Sequence, residues 1–226
     1  MDGASVSGQA GAHGNGGGRA ARADAERRLL RGSVRMTQSI RVMLVEDDPF
    51  WRERLTEDLG KEPDIEVVAA AATGQEALEA AATIGMDVVL MDINLSENRL
   101  DGLDATKELM LARQSELKII ILTSLTEKEI IVKAFQNGAV NYIGKSNFHH
   151  ITRAIREAFD GESSIHPDAA GAMREEIRLM QLTPSEREIH ELKERGYNRT
   201  EISTMLSKSL NTIKSQIRSI RGKLLK

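Results

Sequence analysis

Ile40-Arg41-Val42-Met43-Leu44-Val45-Glu46-Asp47-Asp48 is the stretch that decides the fold. An aliphatic, β-branched run over Ile40–Val45 ends abruptly on three acids. The run is too short for a helix and apolar nearly throughout, which suits a strand buried on both faces, as in a parallel sheet. Four more runs of the same kind follow at Ile65–Ala69, Met86–Met91, Lys118–Leu122 and Ala139–Ile143. Between and after them lie amphipathic helical patterns near 49–60, 74–84, 102–114, 126–137 and 147–160. Five βα units in a row predict an α/β fold: a doubly wound, five-stranded parallel sheet of flavodoxin-like type, order 2-1-3-4-5, with helices on both faces. Ligands of such sheets bind beyond the carboxyl ends of the strands.

The strand ends carry the polar chemistry. Glu46, Asp47 and Asp48 follow the first strand, and Asp92 follows Val88-Val89-Leu90-Met91. The first and third strands are neighbours in the predicted order, so these carboxylates converge. Clustered carboxylates repel and call for a cation, and an all-oxygen site suits Mg²⁺. A carboxylate beside such an ion can accept a phosphoryl group as nucleophile. Thr123 ends the fourth strand and Lys145 follows the fifth, each able to contact a phosphoryl oxygen. Taken singly, each has a bland reading: a strand-end Asp caps, a Thr closes a turn, a Lys is solvated. Together and in strand order they point to one site. The adjacent His149 and His150 read as surface residues, not metal ligands.

Outside this core the chain changes character. Residues 1–36 are rich in Gly, Ala and Arg and are expected to be a disordered tail or an extension. The segment 161–181 contains Gly161, Pro167 and Gly171, then a helical stretch from Met173 to Met180, and reads as a linker. After Leu182 the pattern is all helical. Thr183-Pro184-Ser185-Glu186 is a capping box with proline at the first helical position, Gly196 stops that helix, and Asn198 to Glu201 repeats the capping logic. Ser209 caps a third helix whose buried stripe is Ile213, Ile217, Ile220 and Leu224. Three short helices with tight turns form a small all-α helix-turn-helix domain.

The net charge of −3 hides an asymmetry: Thr37–Asp160 carries −9, Leu182–Lys226 carries +5, and Lys208–Lys226 has six basic residues and no acid. The C-terminal piece therefore suits an anionic partner. Lys214, Arg218 and Arg221 share one helix face, and Ser209, Thr212 and Ser215 stand beside them near the helix start. These six are the candidate DNA contacts, with Lys214 and Arg218 foremost, for a helix in the major groove. With no cysteine there are no disulfides, thiolate zinc sites or cysteine nucleophiles. No apolar run reaches membrane-spanning length and no signal peptide is evident, so a cytoplasmic, membrane-free protein is expected.

The segment 40–160 resembles the receiver domain of two-component response regulators. It has the acidic pair after strand one, Asp after strand three, Thr after strand four and Lys after strand five. The resemblance implies that Asp92 is the phosphoacceptor and that Asp47 and Asp92 bind Mg²⁺. Glu46 would act on the ion through water, and the Asn94 backbone carbonyl would complete the protein ligands. It also implies that Thr123 and Lys145 contact the phosphoryl group, and that Tyr142 is an aromatic switch turning inward with Thr123. Segment 182–226 is similar to the LuxR-type helix-turn-helix of the NarL/FixJ branch, through Leu182-Thr183-Pro184, Arg187-Glu188, Gly196, Glu201-Ile202, Leu206, Ser209, Thr212-Ile213-Lys214, Ile220 and Lys223-Leu224. The domains are then a receiver at 37–160, a linker at 161–181 and a DNA-binding domain at 182–226. The expected activity is a phosphorylation-dependent transcription regulator, not an enzyme beyond assisting its own phosphorylation and dephosphorylation. Its expected partners are a histidine kinase, double-stranded DNA and, once phosphorylated, a second copy. The alternative is a phosphorylation-switched protein- or RNA-interaction module. The sequence departs from the family pattern at Ser96 (usually proline), in a longer 96–99 loop, and at Ser146, Lys208, Arg199-Thr200 and Gln216. The family's fourth DNA-binding-domain helix is not evident before Lys226.

Overall fold

The computed structural model describes residues 39–96, 100–113, 117–162 and 164–225. The expected N-terminal tail, 1–36, and most of the longer loop, 97–99, lie outside them. Five strands form one parallel sheet in the order β2-β1-β3-β4-β5: β1 Ile40–Val45, β2 Ile65–Ala71, β3 Val88–Met91, β4 Lys118–Thr123 and β5 Asn141–Gly144. Five helices connect and follow them: α1 Pro49–Leu59, α2 Gly74–Thr83, α3 Asp101–Arg113, α4 Lys128–Gln136 and α5 Ile151–Asp160. The predicted order and all five βα units are present. The largest shift lies before α5, where Lys145–His150 form a separate 3-10 turn, with Asn147 off helical geometry, so the α-helix starts at Ile151.

Every residue of β3 is buried, because both faces of the sheet are covered. Val89 and Met91 meet α2, α3 and α4 on one side, while Val88 and Leu90 meet α1 and α5 on the other. This is why the central strands read as continuous apolar runs with no alternation.

The segment after α5 departs most from the sequence reading. Helix α6 spans Pro167–Leu179, six residues earlier than the expected start at Met173. Pro167 sits at the first helical position and the His166 ring accepts from the Asp168 amide, so the start is capped, and Gly171 is accommodated inside the helix. Ala169 is 0% exposed and belongs to the sheet core with Tyr142. At the other end, Leu179 belongs to the core of the C-terminal helices with Ile189, Ile202 and Ile213. One helix thus contributes to two cores, and the described residues from Ile40 onward pack as one compact unit.

The C-terminal helices are α7 Pro184–Glu194, α8 Arg199–Met205 and α9 Leu210–Leu224. Both predicted capping boxes form, Thr183 with Glu186 and Asn198 with Glu201. Gly196, with φ 92°, takes the left-handed turn that ends α7. Ile213, Ile217 and Ile220 are buried as the stripe predicts, and Leu224 packs against them half-buried. No described helix is long and apolar enough to cross a membrane.

Candidate functional site

The sheet delivers its polar residues to one mouth, at the ends of β1, β3, β4 and β5. Glu46 continues β1, its amide bonded to the Ala71 carbonyl at 3.0 Å, and Asp92 continues β3, its amide bonded to the Val45 carbonyl at 2.9 Å. Both carboxylates are buried and meet one ammonium. Lys145 Nζ lies 2.8 Å from Glu46 Oε1, 2.7 Å from Glu46 Oε2 and 2.8 Å from Asp92 Oδ2. The other Asp92 oxygen accepts from the Ile93 amide at 2.6 Å. Lys145 itself is only 8% exposed, and its Nζ stands 5.5 Å over the Trp51 ring.

Burial works to discharge such a cluster, and the mutual attraction of its charges opposes that. Burial drives the Glu46 carboxyl up to about 7, against the pull of Lys145. Burial also works to lower the Lys145 ammonium, but its hydrogen bonds to Asp92 and Glu46 outweigh that and raise it.

Asp47 is exposed, and it brings a carboxylate oxygen within 4.8 Å of those of Glu46 and Asp92. Three carboxylates against one ammonium leave the mouth anionic, and the donors are all hard oxygens. This donor set fits a Mg²⁺ ion. Asp48, the third acid of the triplet, instead caps α1 by accepting from the Phe50 amide at 2.9 Å. Asn94, two residues beyond Asp92, is half-buried.

Thr123 ends β4, buried, in register with Gly144, the residue before Lys145. Its hydroxyl is held only loosely, by the Leu125 amide at 3.5 Å. Tyr142 is 1% exposed, with its ring inside the core and its hydroxyl donating to the Leu125 carbonyl at 2.8 Å. Burial pushes that phenol well above its ordinary range. The resemblance implies a ring that turns inward on phosphorylation; here it is already inward.

Two local features explain how the mouth keeps its shape. A Cβ on Gly102 would stand 1.9 Å from the Asp92 carbonyl oxygen, so only glycine lets α3 start this close to β3. Ser96, where the family usually has proline, is anchored instead by donating to Asp101 Oδ2 at 2.7 Å, and Asp101 Oδ1 accepts from the Leu95 amide at 3.0 Å. Arg52, not singled out from the sequence, donates to the carbonyls of Glu46 and Asp47 at 2.7 and 3.1 Å and fixes the acidic turn. Its only signal was a cation in the first turn of a helix, where the dipole disfavours it.

The second candidate surface is α9. Ser209 accepts from the Thr212 amide at 3.1 Å, the two hydroxyls lie 2.9 Å apart, and Ser215 donates to the Thr212 carbonyl at 3.3 Å. Lys214, Ser215, Arg218 and Arg221 are all exposed. Among the described residues, neither Lys214, Arg218 nor Arg221 has a carboxylate partner. The other described basic residues of the segment differ: Lys208 bonds Ser185 Oγ at 2.7 Å, and Lys223 bonds Glu186 Oε2 at 2.5 Å. The basic run of the sequence thus divides into cations that hold the module together and cations that face outward.

Sheet order, the carboxylate–lysine mouth and an attached helical module with an outward basic face define a class: a two-module α/β protein with an acidic switch-point site. A family model described as "Response regulator receiver domain" matches residues 42–156. The chain belongs to the response regulator family. It is 34% identical to transcriptional regulatory protein LiaR of Bacillus subtilis (strain 168) over 194 residues, 82% of this chain and 90% of that protein. It is 30% identical over 192 residues to response regulator protein VraR of Staphylococcus epidermidis, with the same coverage of 82% and 90%. In fold it is similar to the two-component response regulator RcsB in a structure of its complex with DNA. That likeness has a TM-score of 0.61 and 19% identity, over 83% of this chain and 92% of that one.

Proposed function

We propose that this chain takes a phosphoryl group from a histidine kinase onto Asp92 and thereby controls DNA binding by its C-terminal module. The observation that carries the reading is the Lys145 ammonium within 2.8 Å of both Glu46 and Asp92 at the mouth of the sheet. An Asp92 oxygen attacks the phosphorus of a phosphohistidine, the P–O bond forms as the P–N bond breaks, and the imidazole leaves and takes up a proton. Lys145 balances charge on the phosphoryl oxygens, and Thr123 donates its loosely held hydroxyl to one of them. Asp47 and Asp92, Glu46 through water, and the Asn94 carbonyl would hold Mg²⁺, which when bound neutralises developing charge on the transferred group. On this reading the protein is modified once per cycle and assists only its own phosphorylation and dephosphorylation.

Phosphorylation adds roughly −1.5 to −2 charges at the mouth. Tyr142, held inward by the Leu125 carbonyl, reads this through the β4–α4 loop that begins just after Thr123. Modified chains pair as homodimers, and α9 enters the major groove, with Lys214, Arg218 and Arg221 towards the DNA and Ser209, Thr212 and Ser215 near phosphates. The site of action is the cytoplasm.

The test is labelling with a small phosphodonor. The wild-type chain should take up label and Asp92→Asn should take up none; retained label rejects the assignment. DNA binding at two salt concentrations separates this reading from a protein-interaction module, since phosphate contacts weaken steeply with salt.

A further inference from the structure

Helix α6 lies outside the residues matched by the receiver family model, yet its first turn is stitched to β5, the strand that ends just before the lysine. The carboxylate of Asp168 turns back onto the 144–147 segment. Its Oδ2 accepts from the Gly144 amide at 2.9 Å, and Asn147 Nδ2 lies 3.0 Å from each of its oxygens. Gly144 permits the approach, since a Cβ there would stand 3.2 Å from Asp168 Oδ2. One turn earlier in space, the His166 amide donates to Asn141 Oδ1 at 2.9 Å, so both ends of β5 are tied to the start of α6. Ala169, buried in the sheet core, fixes the carboxylate's own position.

Lys145 is the residue bracketed by these bonds. Its side chain is a flexible four-carbon stem, and placing its ammonium between Glu46 and Asp92 depends on where its Cα is held. The Gly144 peptide is fixed on one side and the Asn147 side chain on the other. An acid in a first helical turn is favourable for the helix dipole without any partner; that role needs neither of these contacts.

We propose that Asp168 is a positioning residue of the phosphoacceptor site: it holds the Gly144–Asn147 turn so that Lys145 is aimed between Glu46 and Asp92. The phosphorylation chemistry then depends on a residue of the segment that joins the two modules. The inference rests on the phosphoacceptor reading above.

The experiment uses the full chain with Mg²⁺ and acetyl phosphate as donor, and separates the maximal labelling rate from the half-saturating donor concentration. Asp168→Ala should lower the maximal rate on the order of 10-fold, with the half-saturating concentration little changed. Asp168→Asn keeps an oxygen facing the Gly144 amide and should restore most of the rate. Should Asp168→Ala not fold, Asn147→Ala removes one of the two donors and should lower the maximal rate in the same direction. If the variants that fold label as fast as wild type, Asp168 merely docks the helix and the inference is overturned while the phosphoacceptor reading stands. If wild type itself takes no label at Asp92, both fall together.

Discussion

The mouth of the sheet and the outer face of α9 handle charge in opposite ways. At the mouth, Glu46, Asp92 and Lys145 are buried and partner one another: one ammonium serves two carboxylates within 2.8 Å. On α9, Lys214, Arg218 and Arg221 are exposed and, among the described residues, without a carboxylate partner, while Lys208 and Lys223 are spent inside the module. A buried charge needs a partner because water is gone, so it is locked in one geometry and suits chemistry. An exposed charge needs none and stays available to an outside anion. The difference shows which side of each module faces a partner.

The contrast can be broken first at the mouth. Lys145→Ala leaves Glu46 and Asp92 buried without their cation and should cost about 3–5 kcal/mol at pH 8. The loss should shrink towards pH 6 as Glu46 takes a proton, measured by urea unfolding at both values. A cost under 1 kcal/mol at pH 8 contradicts the locked geometry.

On α9 the two sides of one helix should behave oppositely. Ile213→Ala opens a cavity in the module's core and should cost about 2–5 kcal/mol. Lys214→Ala should leave stability within about 0.5 kcal/mol. It should weaken binding to all DNA sequences if it meets phosphate, or relax one base position at a cost of about 1–3 kcal/mol if it meets a base. Thermal unfolding and DNA titrations on both variants decide this, and equal stability losses would erase the distinction.

The smallest effect sharpens the electrostatics. The folded Glu46 carboxyl, raised from 4.5 to about 7, binds its proton more tightly than in the unfolded chain. Its contribution to stability is therefore complete below about 4.5 and lost as pH rises through about 7. The same proton competes with a metal, so Mg²⁺ affinity should fall by up to ~10-fold per pH unit below that point. Trp51, the only tryptophan and a neighbour of the Lys145 ammonium, reports it by fluorescence. An affinity flat from pH 6 to pH 8 removes Glu46 from the site.

Much of this was legible in the sequence because it is local or periodic. The strands announce themselves as apolar runs, and the capping boxes at Thr183–Glu186 and Asn198–Glu201 involve residues three apart. Glu46, Asp92 and Lys145 are distant in sequence, but strand order brings them together, so a prediction of topology was also a prediction of the site. What stayed hidden depends on contacts that no period encodes. Asp168 meets a residue 24 positions earlier, and nothing in 161–181 marks it apart from other first-turn acids. Gly171 resembles a breaker and sits within a helix, because burial of Ala169 and Leu179 fixes the segment from both ends. Lys208 and Lys223 look like Lys214 until the fold shows which way each one points.

Helix α6 is rooted at Ala169 in one core and at Leu179 in the other, and its Glu176 grips Arg187 of α7 through two bonds of 2.7 and 2.6 Å. A loose tether would let each half tumble at its own pace and would transmit only nearness. A helix of 13 residues, about 20 Å long at ~1.5 Å per residue, behaves as a lever arm. Anchored at both ends, the joint sets direction as well as distance, so the helices that follow are held at a fixed orientation to its Asp168 end and not merely kept near it.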